Sequence, residues 1–578
     1  MSFRIKFFHK ESHTFSLLLT FLTLIHLYAM RWNVDVYHEG LFPGSIKISQ
    51  GGILFRDIYN QYGFLQSYIT AIPVELFGIK LLWSRIIGVL IKLFITIVAY
   101  KLLKKITNTN LAISVSLLWY ATSPTWVMLN FDNAGSGIAW PTHFALLSAL
   151  YGIYLFKVSD ENSFENPKYI FASGAFVALS WGGRLEFLLS WLLILLALVF
   201  IAFSKNNKRF EFKHVLTWLA GSLTVFVFFF SFFARNGALY DWLQQTILQW
   251  FSNPPQQPKY TIFWMGAHLI TFIFLSALFT SLLFLNHVLA HRMKNISLSI
   301  MGTFLIFFAV ACLGIVFEDT ELAGKNLGIW FFDATSRAIF SYADFIIGLA
   351  VVLVAYSILK NLESNSGMTS FVNENNEFRF IMRVFCFSLF ALFHIVYADY
   401  LSMVILPFIV LIIIELKNSK INSNMLIDKA IGAFQSTCIA LIVISILLFS
   451  IRSISLPETP YRTSILAGLV DQDSSRAKEI DATFAAVQKH GSLSHTWMFC
   501  IDGLYSANTE GYLGADKWEM NLLPEKWMAP RILLPKSGDT LVVCNLSKSE
   551  QDLFDEQVRS KRFLLIDTET QVQIYRVK

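Results

Sequence analysis

The sequence predicts an α-helical polytopic membrane protein with a small α/β domain at its C-terminal end, and three observations carry that prediction. Hydrophobic residues make up 55% of the 578 positions, charged residues only 15%, and there are 55 Phe; a water-soluble protein of this composition would expose far too much apolar surface. Apolar segments recur over most of the first 455 residues, whereas a single hydrophobic core stops growing at about 250–300 residues. Charged residues and period-two patterns return after Leu456-Pro457, which sets residues 456–578 apart as a soluble unit.

Apolar segments begin near residues 14, 82, 110, 138, 169, 186, 214, 262, 297, 340, 384, 400 and 430, which makes about 13 spans at the usual length of roughly 20 residues. The basic stretch Arg4 to Lys10 precedes the first of them; with no small-x-small cleavage signal, that segment reads as a retained helix rather than a removed leader. The spans near 384 and 400 share the polar break Tyr397-Ala398-Asp399-Tyr400. Lys101/Lys104/Lys105, Lys205/Lys208/Arg209/Lys213, Arg292/Lys294, Arg379/Arg383 and Lys417/Lys420/Lys429 fall in every second loop. By the positive-inside rule these loops, and the N-terminus, are cytoplasmic. The segment 31–81, the Pro-rich 253–258 and the tail then lie outside. The formal net charge of +6 is thus spent on topology. No basic helix or aromatic-basic platform is present, which excludes nucleic acid as a partner.

In the tail, Thr540–Cys544, Phe563–Asp567 and Val572–Val577 alternate as strands, and Ser547 to Arg559 reads as a helix between the first two. Cys312, Cys386 and Cys438 lie in apolar segments and read as small core residues. Cys500 and Cys544 lie in the tail, where an oxidising compartment would permit a disulfide.

Polar residues are densest in the first external loop. It runs Asp35-Val36-Tyr37-His38-Glu39-Gly40, then Gly51-Gly52, then Arg56-Asp57 with Tyr59, Tyr62-Gly63, and closes at Trp83-Ser84-Arg85. Asp35 and Glu39 are spaced i,i+4, so a helical stretch would put both carboxylates on one face. Held near lipid headgroups, such a carboxylate can serve as a general base or a cation ligand. The plain alternatives are a solvated loop and a local Arg56–Asp57 ion pair worth well under about 1 kcal/mol. Two later signals fall on the same face. Asn130-Phe131-Asp132-Asn133 offers Asp132, which otherwise caps the next helix, and Trp181-Gly182-Gly183-Arg184-Leu185-Glu186 interrupts two apolar spans. Lys92 lies near the middle of the second span, where it meets a phosphate, a carboxylate or a polar neighbour.

The acidic pair after the first helix, the Gly-rich bend, the Arg-Asp followed by Tyr-Gly, and the Arg opening the second helix resemble the first periplasmic loop of the GT-C superfamily. These membrane glycosyltransferases depend on polyprenyl-phosphate sugars and include protein O-mannosyltransferases, aminoarabinose transferases of lipid A and oligosaccharyltransferases. The likeness is clearest over residues 30–90, and no Trp-Trp-Asp in the tail points to the oligosaccharyltransferases in particular. The resemblance implies a bacterial inner-membrane enzyme, inverting at the anomeric carbon, that moves a sugar from a polyprenyl-phosphate donor to a glycan, lipid or protein acceptor outside the cytoplasm. It implies Asp35 as base, Glu39 or Asp132 as orienting group or metal ligand, and Arg56, Arg184 or Arg337 as phosphate contacts. Asp57, Tyr62, Arg85 and Glu186 complete the candidate substrate site. No cofactor is implied with certainty, and His38 before Glu39 leaves the use of a divalent cation open. A lipid-linked substrate flippase and a non-catalytic envelope scaffold are the rival functions; a flippase should show internal hydropathy symmetry and ionisable residues at the midplane.

Overall fold

The computed structural model describes residues 9–29, 42–57, 60, 62–78, 81–129, 140–204, 209–248, 377–396 and 405–418, with short pieces between 321 and 354 and between 435 and 446, and separate strands from 461 to 577. Within these residues the chain is mainly helical: α1 His9–Ala29, α2 Phe42–Ser49, α3 Leu65–Phe77, α4 Leu81–Ile106, α5 Thr109–Leu129, α6 Pro141–Glu161, α7 Pro167–Leu179, α8 Phe187–Phe203, α9 Phe212–Arg235 and α10 Leu239–Trp242. A π-helical turn, Leu243–Leu248, continues α10, and α11 Glu377–Val396 and α12 Ile405–Asn418 follow. The predicted spans near 262, 297, 340 and 430, and the polar break 397–400, fall wholly or mostly outside the described residues.

Local chemistry sets the helix starts. Pro141 and Pro167 occupy first-turn positions where a missing N–H costs nothing. Asn166 accepts the Lys168 N–H (3.1 Å), and Glu211 and His214 close a reciprocal capping box at the start of α9. Stretches of α4 and α9, Leu82–Ile106 and Phe212–Arg235, are long and apolar enough to cross a bilayer; apolar stretches of α1, α5, α8 and α12 are shorter. The outward faces are what lipid requires. α8 exposes Leu192, Leu196, Phe200 and Phe203, and α9 exposes Leu216, Leu223, Val227 and Phe228.

Inside, small residues let the helices close up. A Cβ on Gly174 of α7 would lie 1.9 Å from the Trp218 carbonyl oxygen of α9, and one on Gly221 of α9 would lie 2.0 Å from that of Phe171. The Ser222 hydroxyl donates to the Gly174 carbonyl across the same seam (3.0 Å). α11 joins α8 through the hydroxyls of Ser388 and Ser190 (2.7 Å). Cys386 and Cys438 are buried free thiols, as expected of core residues.

Alternate helix ends gather on two sides. On one, Lys105 pairs with Glu161, Lys157 with Asp160 (2.9 Å), and Glu415 of α12 takes both Arg379 and Arg383 of α11. Lys417 donates to the Ile106 carbonyl at the end of α4 (3.2 Å). On the other side lie the loop helices α2 and α3 and the turn between α7 and α8. The sequence reading treated residues 31–81 as plain loop; α2 and α3 within it pack on one another and α3 packs on α4.

The tail contains a five-stranded sheet. Its strands are β1 Thr496–Cys500, β2 Gly511–Tyr512, β3 Thr540–Cys544, β4 Phe563–Glu569 and β5 Val572–Val577. Their order is β2-β1-β3-β5-β4, with β1 parallel to β2 and β3, and β5 antiparallel to β3 and β4. All three predicted strands form; the predicted helix 547–559 lies outside the described residues.

Candidate functional site

The loop after α2 is held by its own polar residues. Asp57 accepts the Ile53 N–H (2.8 Å) and a two-pronged contact from Arg56, while Arg56 Nη1 donates to the Asn236 carbonyl at the end of α9 (3.0 Å). The Arg56 guanidinium, and next the Ile53 N–H, hold the Asp57 carboxyl below its usual range against the opposing effect of partial burial. Asn60 accepts the Tyr62 N–H (2.9 Å), donates to the Gly63 carbonyl (3.2 Å) and donates its own N–H to Gln245 (3.0 Å). These bonds tie the first loop to α9 and to the π-helical turn. Gln245 carried no sequence signal, because a lone Gln beside apolar residues has no pattern.

The loop then docks on the Arg184 turn. The Gly63 N–H donates to the Gly183 carbonyl (3.1 Å), and a Cβ on Gly63 would lie 2.1 Å from the Gly182 carbonyl oxygen. A 3₁₀ turn, Ser180–Gly182, ends α7 and points the chain into α8. Trp181 anchors it among Phe64, Phe226 and Trp242. Arg184, only 1% exposed, meets Glu186 in a forked ion pair (2.7 Å), donates Nη1 to Thr142 of α6 (3.2 Å) and sits 5.4 Å from the centre of the Tyr62 ring. Tyr62 in turn meets Trp140 edge to face at 5.6 Å. Tyr62 of the first loop and the Arg184–Glu186 interruption, distant in the sequence, thus come together.

Near this junction α1, α4 and α6 bury further polar side chains that the sequence only partly disclosed. Arg85 and Lys92 of α4 are seven residues apart and share one face of the helix; they are 0% and 4% exposed. Lys92 acts electrostatically on both His26 of α1 and His143 of α6. His26 Nε2 donates to the Tyr120 carbonyl (2.8 Å) while its ring stacks on Tyr120, so Nδ1 is the bare acceptor nitrogen. Nδ1 of His26 and Nδ1 of His143 are buried and find no hydrogen-bond partner among the described residues. His143 directly follows Thr142, the α6 partner of Arg184.

Asp35, Glu39, Asp132 and Arg337 lie outside the described residues. Among the described residues no three His, Cys, Asp or Glu side chains gather as a metal site, and the carboxylates of Asp57 and Glu186 are each engaged by arginine.

No family model matches the chain, and no curated protein matches it. Among solved structures the chain is similar to ArnT from Cupriavidus metallidurans bound to undecaprenyl phosphate, at 11% identity and TM-score 0.42 over 98% of this chain and 97% of that one. It is also similar to the oligosaccharyltransferase of Archaeoglobus fulgidus in complex with Zn and sulfate, at 12% identity and TM-score 0.47 over 91% and 68%. A third likeness is to AglB of the same archaeon with an inhibitory peptide and a dolichol-phosphate, at 12% identity and TM-score 0.38 over 93% and 70%.

Proposed function

We propose that the chain is a membrane glycosyltransferase of the GT-C type that moves a sugar from a polyprenyl-phosphate donor to a glycan, lipid or protein acceptor, with inversion at the anomeric carbon. The observation that carries this reading is the docking of the first loop, through Tyr62 and Gly63, onto the turn of the buried Arg184, with Arg85 and Lys92 buried in α4. Such an arrangement suits a lipid phosphate that must be held where the bilayer meets water, next to an acceptor entering from outside.

The chemistry asks for few groups. A polyprenyl phosphate is already a weakly basic leaving group, so its departure needs positive charge rather than a proton donor. Arg184 and Lys92 supply that charge, and Arg85 extends the cationic face. Glu186 fixes the fork of Arg184, and Tyr62 packs over it. The Asp35 carboxylate takes the proton from the acceptor hydroxyl as the new glycosidic bond forms, and Glu39 or Asp132 orients it or would hold a divalent cation. Arg56 and Asp57, being tied to each other and to α9, shape the loop rather than touch phosphate. Arg337 remains a candidate phosphate contact.

Positive-inside charge supports a cytoplasmic placement of the end that carries Lys105, Arg379, Arg383 and Lys417, and an external placement of the loop end and the tail. The setting is the inner membrane of a bacterium, with residues 1–455 as the catalytic module and 456–578 as a periplasmic domain.

The test offers purified protein a panel of polyprenyl-phosphate monosaccharides with crude envelope lipid and follows free polyprenyl phosphate. Turnover with one donor, reduced at least about 100-fold by Asp35→Asn, is expected for a lost general base. Silence across the panel from folded protein would move the weight to a flippase or a scaffold, and undiminished turnover in the variant would remove Asp35 from the chemistry.

A further inference from the structure

Cysteine occurs twice in residues 456–578, and both copies fall on one rung of one ladder. β1 and β3 run parallel in unbroken register, from Thr496 beside Thr540 through Met498 beside Val542 to Cys500 beside Cys544. Registered residues of a parallel pair lie on the same face of the sheet, and neighbouring strands are about 4.8 Å apart. A disulfide spans Cα–Cα distances of about 4.4–6.8 Å, so no strand need move out of register to bring these positions together. Both cysteines are also the last paired residues of their strands. A lateral bridge then asks only that Cβ atoms at about the strand spacing close to roughly 3.5–4.5 Å.

We propose that Cys500 and Cys544 form a disulfide that staples the two parallel strands of the tail sheet. Two S–H bonds break and one S–S bond forms; the two protons and two electrons pass to the disulfide of a thiol oxidoreductase, which leaves as a dithiol. The bond closes residues 501–543 into a loop that contains β2, the edge strand paired to β1. It thereby restricts the unfolded tail where a short strand adds least to the sheet. The bridge rests on the external placement of the tail given above, since a reducing cytoplasm keeps such a pair as thiols. It does not rest on glycosyl transfer.

The check is a thiol count on the full chain. Cells are quenched in acid to trap thiols, the protein is denatured, and free thiols are tagged with a maleimide polymer that shifts the band once per cysteine. The chain has five cysteines. The account expects three shifts without reductant and five after reduction, a peptide pair joined through Cys500 and Cys544, and four shifts in both conditions for Cys544→Ser. Protease added outside spheroplasts reports the side of the tail in the same preparation. Five shifts before reduction from a tail that is cut outside would overturn the disulfide alone. Five shifts from a protected tail would overturn both the disulfide and the external placement.

Discussion

The Lys105–Glu161 pair at the basic end of the helical bundle and the Arg184 junction at the loop end hold charge at different depths. At the basic end, lysines and arginines meet carboxylates and helix-terminal carbonyls: Lys105 with Glu161, Lys157 with Asp160, Lys417 with the Ile106 carbonyl. The Lys105–Glu161 pair is partly open to solvent, with side chains 27% and 36% exposed. At the loop end, Arg85, Lys92 and Arg184 are all under 5% exposed. A cation on the outside of a membrane protein fixes orientation at little cost. A cation buried in the bundle must be stabilised by what surrounds it, and such residues mark sites of function far more often than sites of packing. The cations of the proposed site thus lie deeper than the Lys105–Glu161 pair.

The largest expected effect tests the one deeply buried cluster at the basic end. Glu415 is 2% exposed and holds both Arg379 and Arg383. Glu415→Gln removes the carboxylate charge that both arginines share, and breaking a buried pair in this way costs about 3–5 kcal/mol. The variant should show a clear fall in melting temperature in detergent, with no loss of affinity for lipid phosphate in whatever fraction stays folded. A parallel loss of affinity would erase the distinction between the two ends.

Gly63→Ala comes next. The added methyl meets the Gly182 backbone at 2.1 Å, so loop and turn must separate; overpacking of this kind costs about 1–3 kcal/mol. Here turnover should fall more than stability does, because Tyr62 is displaced from Arg184.

The smallest effect belongs to Asp57→Asn. The pair with Arg56 is partly exposed, with side chains 43% and 32% open, and is worth well under about 1 kcal/mol. Arg56 lowers the Asp57 pKa, so the contribution is complete above the ordinary carboxylate value and is lost as the pH falls through the lowered one. The variant should melt slightly below wild type between pH 5 and 8, and the small gap between them should begin to close only below about pH 4.

Much of the bundle was legible in the sequence because lipid imposes one strong pattern. The segments anticipated near 82, 110, 138, 169, 186 and 214 match α4 to α9. The Arg184–Glu186 interruption was legible too, since charges between apolar runs stand out. α2 and α3 were not. Pro43 and Gly44 open the first, Pro73 lies inside the second, and short half-polar helices lack the long apolar run that marks a span. His26 and His143 were invisible for another reason. Each is a single histidine in an apolar stretch, and only the meeting of α1, α4 and α6 brings both to Lys92.

The measurement that bears most directly on the two-ended account is equilibrium binding of polyprenyl phosphate to purified protein in nanodiscs, comparing Lys92→Met with Lys105→Gln. A hydrogen bond to a charged group contributes about 1.5–3 kcal/mol, so the account predicts affinity at least about tenfold weaker for Lys92→Met and unchanged for Lys105→Gln. Equal affinities in wild type and Lys92→Met, or an equal loss in both variants, would contradict it.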